Sequence, residues 1–240
     1  MACAIAIIVP VHNEEANILP LANEVAAALR QEARPYELVF VDDGSVDSTW
    51  TQIQKARRQD SRVRGLRHLH NRGQSAALWT GLQQTTSPII ATLDGDLQND
   101  PADLPKLLAE LEQFDFVCGV RVQRRDSFVR RASSRIARAA RRIVLGIDFS
   151  DTGCGLRVFK RSALEGVFPF QGLHRFLPVL VHGGGASTRE IPVNHRPRVA
   201  GTSKYGVWNR LGRGIFDLFA VAWYQRRRLR TVAVDELSER

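Results

Sequence analysis

The chain has 240 residues, 44% hydrophobic and 25% charged, with 18 Gly and 10 Pro, which excludes disordered, collagenous and low-complexity classes and supplies one sizeable core. Three cysteines without CxxC spacing (Cys3, Cys118, Cys154) exclude a secreted disulfide scaffold and make a reducing cytosol the default. Lys plus Arg outnumber Asp plus Glu by 34 to 25, and the excess lies in two segments: nine arginines against Asp126 from Arg121 to Arg142, and nine basic residues against Asp217 from Arg196 to Arg230.

In chain order, Ala4–Val11 reads as a buried strand and Glu14–Arg30 as a helix with Leu19, Ala22, Val25, Ala26 and Leu29 on one face. Tyr36–Val41 is a second strand, and Ser45 or Asp47 can cap a helix through Lys55. Val63–Leu69 is a strand, Gln74–Gln84 a helix and Pro88–Leu93 a fourth strand. Pro101 suits the first turn of a helix through Leu111, and Phe114–Val120 is a fifth strand. Such alternation predicts an α/β fold, parallel strands with helices on both faces, and ligands beyond the strands' carboxyl ends. The second half is less regular: a helix over Phe128–Leu145, a loop entering a strand over Asp151–Phe159, a short helix His174–His182, a strand Arg189–Val193, a polar loop Arg196–Tyr205 and a helix Tyr205–Arg227. The expected organisation is one domain over 1–212, with a donor half to about 120, an elaborated C-terminal third, and an amphipathic helix with a basic tail over 213–240.

No apolar run approaches the roughly 18 to 20 residues of a membrane span. The longest, Ala4–Val11 and Ile215–Tyr224, are shorter, the second contains Asp217, and no basic region precedes the first, so no signal peptide is expected. The cationic segments point to an anionic partner, and arginine suits bidentate phosphate contacts. Nucleic acid is disfavoured, because no stacking aromatics are interleaved with the arginines. The apolar-aromatic run Ile215–Arg228 ending in three arginines, with the amphipathic Phe128–Leu145 stretch, fits a protein seated on an anionic membrane surface. Alternatively, those faces pack on the domain, a second subunit or a partner membrane protein.

Polar residues cluster after three apolar runs: His12–Glu15, Asp42–Asp43 and Asp94–Asp96. Asp94-Gly95-Asp96 places two hard carboxylate ligands at a sheet edge, which suits Mg²⁺ or Mn²⁺ shared with substrate phosphates, and Gln98 is a further candidate ligand. Gly95 is expected to let a phosphate approach the backbone. Of Asp42 and Asp43, which face opposite ways on a strand, one is expected to be structural and the other to accept hydrogen bonds from a base or ribose. Asp47 reads as a helix cap, and Cys154 as a packing residue rather than a nucleophile.

The segments VPVHNEEANI, VDDGSVDST, NRGQSAALWTGL and DGDLQNDP, followed by DTGCGLRVFKRSAL and RPRVAGTSKY, resemble glycosyltransferase family 2, and within it the polyprenyl-phosphate branch that includes dolichyl-phosphate mannose synthases and undecaprenyl-phosphate sugar transferases. The resemblance implies a GT-A fold and inverting transfer of a hexose from a GDP- or UDP-sugar to a polyprenyl phosphate, on the cytoplasmic face of the membrane. It implies that Pro10, His12, Glu14, Val41 and Asp43 line the nucleoside pocket, with Gly73 and Gly95 also at the donor. Asp94, Asp96 and Gln98 would hold Mg²⁺ or Mn²⁺, and Arg121 and Arg131 the acceptor phosphate. Arg198, Ser203 and Lys204 would close over the diphosphate. His12 departs from the aromatic residue common at its position, and many bacterial relatives continue into transmembrane helices beyond the point matching Arg240. The alternative acceptor is a glycan or small-molecule hydroxyl, for which Asp151 would be the candidate base.

Overall fold

The run Ile5–Val11 contains no polar residue to turn towards water, so as a strand it needs cover on both faces. In the computed structural model, which describes residues 3–122, 138–197 and 207–228 and omits the side chains of 207–213 and 215, this segment is β1, an interior strand. The seven-stranded sheet has the order β3-β2-β1-β4-β6-β5-β7, with β2 Tyr36–Asp42, β3 Val63–Arg67, β4 Ile89–Thr92, β5 Phe116–Arg121, β6 Arg157–Lys160 and β7 Thr188–Val193. β1 pairs in parallel with β2 and β4, β2 with β3, and β5 with β7. β6 alone runs antiparallel, between β4 and β5.

Alternation along each strand divides the core into two layers. Ile5, Ile7, Val9, Val117 and Val158 face α1 (Ile18–Ala28), α2 (Thr49–Gln59) and α4 (Leu104–Ala109). Ala6, Ile8, Val39, Val41, Phe116 and Phe159 face α3 (Gln74–Gln83), α6 (Leu173–Gly183) and α7 (Val207–Arg227). At about 1.5–3 kcal/mol per fully buried large apolar side chain, these layers dominate the folding energy. α3 lies close on β1 because Gly81 has no side chain: a Cβ there would overlap Ile8 Cγ2.

Several element ends differ from the sequence expectation. α1 starts at Ile18 rather than near Glu14 because residues 14–17 form a turn, in which the Asn17 amide donates to the Glu14 carbonyl and its side chain to Glu14 Oε2. The helix expected from Pro101 to Leu111 is a 3₁₀ turn (Pro101–Asp103), α4 and another 3₁₀ turn (Glu110–Glu112). Pro105 has no N–H to return to the carbonyl four residues back, so α4 begins afresh beside it. Of the expected Phe128–Leu145 helix only residues 138–145 are described; they are helical and form α5. Among the described residues, no helix is long and apolar enough to cross a membrane.

Candidate active site

The parallel strands β1, β2 and β4 end along one sheet edge, and their polar sequels gather there. Beyond β1, Asn13 takes a left-handed φ of 54°. Its amide donates to Ser45 Oγ at 2.9 Å while its side-chain oxygen accepts from the Val46 amide at 2.9 Å. His12 Nδ1 lies 2.9 Å from the Asp43 carbonyl oxygen, and the Glu14 amide donates to Thr49 Oγ1 at 2.8 Å. The sequels of β1 and β2 are thus laced into one wall.

Both β2 aspartates are internal. Asp42 is fully buried, accepts from the Ser45 amide at 2.9 Å and lies 3.3 Å from Arg67 Nε. Asp43 accepts from the Arg72 and Gly73 amides at 2.8 and 2.7 Å, and its Oδ1 lies 2.7 Å from His68 Nδ1. Its carboxylate therefore fixes the loop that starts α3, where Gly73 has a φ of 89° suited to glycine. Asp47 accepts from the Thr49 amide and hydroxyl at the start of α2, consistent with a cap. Val41 departs from expectation: its side chain is wholly buried beneath α3, so it backs the wall rather than lining it.

After β4 the chain turns through Asp94, Gly95 and Asp96. Asp94 Oδ1 accepts from the Gln74 side chain at 3.0 Å, which ties it to the start of α3. Its carboxyl group occupies the space that a Cβ on Gly155 would need. Burial first, and then neighbouring Asp96, push the Asp94 carboxyl up to about 6, against the opposing charges of Arg157 and Arg121 and the Gln74 bond. A Cβ on Gly95 would come within 2.6 Å of Val11 Cγ1 and 3.3 Å of the Pro10 carbonyl oxygen, so the close approach made by this glycine is to β1. Asp96 Oδ1 accepts from the Gln98 amide at 3.2 Å, and the Gln98 carbonyl accepts from the Arg196 amide at 2.9 Å. Two neighbouring carboxylates, Asp94 and Asp96, offer the hard oxygen ligands that a small hard cation takes. No cluster of three or more His, Cys, Asp or Glu residues suited to a metal occurs among the described residues, so such an ion would complete its shell with Gln98, water or substrate oxygens.

Arg121, the last residue of β5, binds Asp151 through two parallel bonds, Nε to Oδ2 and a terminal nitrogen to Oδ1, both 2.7 Å. Arg121, expected at the acceptor phosphate, and Asp151, the candidate base for a hydroxyl acceptor, are therefore partners of each other. Burial opposes the Arg121 charge, but the Asp151 bonds outweigh it and leave the guanidinium above its ordinary pKa. Arg131, Arg198, Ser203 and Lys204 lie outside the described residues.

Sequence reasoning missed Gln74, Gly155 and Arg157. The first stands inside NRGQSAALWTGL, and its place at a helix start beside a strand-end acid is the signal that could have found it. The other two lie in DTGCGLRVFKRSAL, where a lone arginine inside an apolar strand marks a buried charge.

A family model described as glycosyl transferase family 2 matches residues 6–168. The chain is 37% identical over 232 residues to a dodecaprenyl-phosphate galacturonate synthase of Rhizobium johnstonii, a match covering 94% of this chain and 68% of that one. It is also 37% identical over 216 residues to an undecaprenyl-phosphate 4-deoxy-4-formamido-L-arabinose transferase of Shewanella sediminis, covering 89% and 65%. The chain thus spans about two thirds of the length of these curated relatives. Among solved structures it resembles glucosyl-3-phosphoglycerate synthase of Mycobacterium tuberculosis in complex with Mn²⁺, UDP and glucosyl-3-phosphoglycerate (TM-score 0.66, 19% identity, 93% and 80% covered). It also resembles mannosyl-3-phosphoglycerate synthase of Rubrobacter xylanophilus (TM-score 0.68, 15% identity, 98% and 79% covered). With the GT-A fold of those structures and sequence relatives in the polyprenyl-phosphate branch, the chain belongs to glycosyl transferase family 2.

Proposed function

We propose that this domain transfers a sugar, with inversion, from a nucleoside diphosphate donor to a polyprenyl phosphate, with Mg²⁺ or Mn²⁺ held by Asp94, Asp96 and Gln98. The observation that carries this reading is the adjacency of two charge centres: the loop that packs Gly155 against the Asp94 carboxyl group also carries Asp151, which binds Arg121. A donor diphosphate with its cation suits the first centre, and an anionic acceptor suits the second. Relatives named for dodecaprenyl- and undecaprenyl-phosphate support the acceptor class, and the Mn²⁺ and UDP of the mycobacterial fold neighbour support the donor class.

In the reaction, an oxygen of the acceptor phosphate attacks the anomeric carbon from the face opposite the leaving group. The bond from that carbon to the nucleoside diphosphate breaks, and its electron pair leaves with the diphosphate. Bound at the carboxylates, the cation supplies neutralisation of that departing charge. Asp94 and Asp96 orient the donor end, with Gln74 holding Asp94. Arg121 orients the acceptor by exchanging Asp151 for the incoming phosphate, a ligand that accepts the same bidentate fork. An ionised acceptor needs no base. A hydroxyl acceptor would need one, and both oxygens of Asp151 are already engaged by Arg121.

We place the domain against the inner face of the cytoplasmic membrane through α7, which leaves Phe216, Phe219 and Trp223 exposed beside Arg226 and Arg227. Asp96→Ala, or chelation by EDTA, is expected to lower transfer by about 100-fold or more in a radiolabelled-sugar assay. Polyprenyl phosphate should accept sugar and the matching polyprenol should not. Full activity of Asp96→Ala, or equal use of the polyprenol, would overturn the reading.

A further inference from the structure

Arg157 is a buried arginine inside the sheet. It opens β6 opposite Thr92 of β4 and Cys118 of β5, and is 3% exposed. Strand alternation puts its side chain on the same face as Phe159, and Gly155, two residues before it, lacks the Cβ that would meet the Asp94 carboxyl group. The guanidinium therefore lies beneath the site, on the face covered by α3 and α6. A terminal nitrogen donates to the Thr152 carbonyl at 3.0 Å, while the buried Nε has no hydrogen-bond partner. Its charge is felt at Asp94 on the donor side and at Asp151 on the acceptor side. The loop between Asp151 and Arg157 borders both centres.

Burying a guanidinium with an unused donor opposes folding, and an apolar side chain of similar length would be accommodated without that penalty. The packing around β6 does not require the charge: Phe116, Cys118 and Phe159 in the same buried layer are apolar, and the facing Thr92 gives its hydroxyl to the Gly155 carbonyl. Burial pushes its pKa down, and the Cys154 and Cys118 thiols and then the carboxylates of Asp94 and Asp151 oppose that; the two carboxylates border the site. Resting on the transfer reaction proposed above, we infer that Arg157 is a positioning residue: anchored to the Thr152 carbonyl, it is the fixed positive charge that holds Asp94 and Asp151 in place while donor and acceptor bind. When an acceptor phosphate draws Arg121 away from Asp151, Arg157 remains beneath that carboxylate as its counter-charge.

The experiment compares Arg157→Met, which keeps length and removes charge, with Arg157→Lys, which keeps charge. The Met variant should melt no lower than the wild type, because an apolar replacement relieves the burial penalty, while kcat falls about 100-fold and the KM values move by less than about threefold. Arg157→Lys should recover about tenfold of the lost kcat. A Met variant that melts well below the wild type would make Arg157 a structural residue and overturn the inference. So would a Met variant with wild-type kcat, which leaves the transfer reaction standing. Absence of wild-type transfer from nucleotide sugars to polyprenyl phosphate would overturn the reaction and this inference together.

Discussion

At the scale of single residues, the site is set by close approaches that leave no room for change. Gly155 is the sharpest case, because its absent side chain is the space filled by the Asp94 carboxyl group. Gly155→Ala should push that carboxylate off its bond with Gln74 and lower kcat by about 100-fold, with a destabilisation of about 1–3 kcal/mol for the overpacking. Steady-state kinetics beside a urea titration separates the two effects. Asp115 shows how a charge far from the site bears on stability. The Ser187 hydroxyl first, then Lys160 and the Ser187 amide, hold its carboxyl down at about 2 against an ordinary 3.8. A depressed carboxylate stabilises the fold fully above the unfolded value and loses that contribution as pH falls towards 2. Asp115 is partly exposed, so Asp115→Asn should cost only about 1 kcal/mol at pH 7. The gap from wild type should close between pH 4 and pH 2 in chemical denaturation.

At the scale of elements, α3 links the two halves of the domain. Its Gln74 reaches Asp94, while Ser75, one residue on, accepts the Gly172 amide at 3.0 Å and lies 2.7 Å from His174 Nδ1 at the start of α6. Ser75→Ala takes the hydroxyl acceptor from the buried Gly172 amide and should cost about 1–3 kcal/mol, read as a lower urea midpoint with an unchanged slope. Such a link could not be read from the sequence, because Ser75 and His174 are 99 positions apart. The parallel strands β1, β2 and β4 were legible for the opposite reason: each is a local, mostly apolar run followed by polar residues beyond its carboxyl end. That rule put Asp43, Asp94 and Asp96 at the carboxyl edge of the sheet, where the structure has them, although the Asp43 carboxylate is spent on the loop before α3. It could not find Gly155 or Arg157, because β6 runs the other way and brings the beginning of a strand to the same edge. The bidentate pairing of Arg121 with Asp151 escaped for a similar reason, since a list of charged residues does not say which of them are already satisfied.

At the scale of the whole molecule, α7 presents two unlike faces. Leu218, Val221 and Ala222 are buried, and the Gln225 side chain donates to the Val179 carbonyl at 3.0 Å. Phe216, Phe219 and Trp223 face outward, 75%, 60% and 66% exposed. Replacing those three with serine should release the protein from anionic vesicles in a flotation assay without altering its melting temperature. Basic residues near such a surface contribute about 1 kcal/mol each, so raised salt should weaken wild-type binding as well.

The reversed strand also governs how the chain can assemble. Thr92 meets Gly155 across 63 residues through its hydroxyl bond to the Gly155 carbonyl, and β6 can pair with β4 only after all of that intervening chain has been made. Closure over so long a loop is slow. Until β6 arrives, β4 presents a bare row of backbone donors and acceptors to any other nascent polypeptide, a template for cross-chain aggregation. Ribosomal emergence of the segment around Arg157 is thus the moment at which this hazard ends, and a truncated form stopping after β5 keeps it permanently.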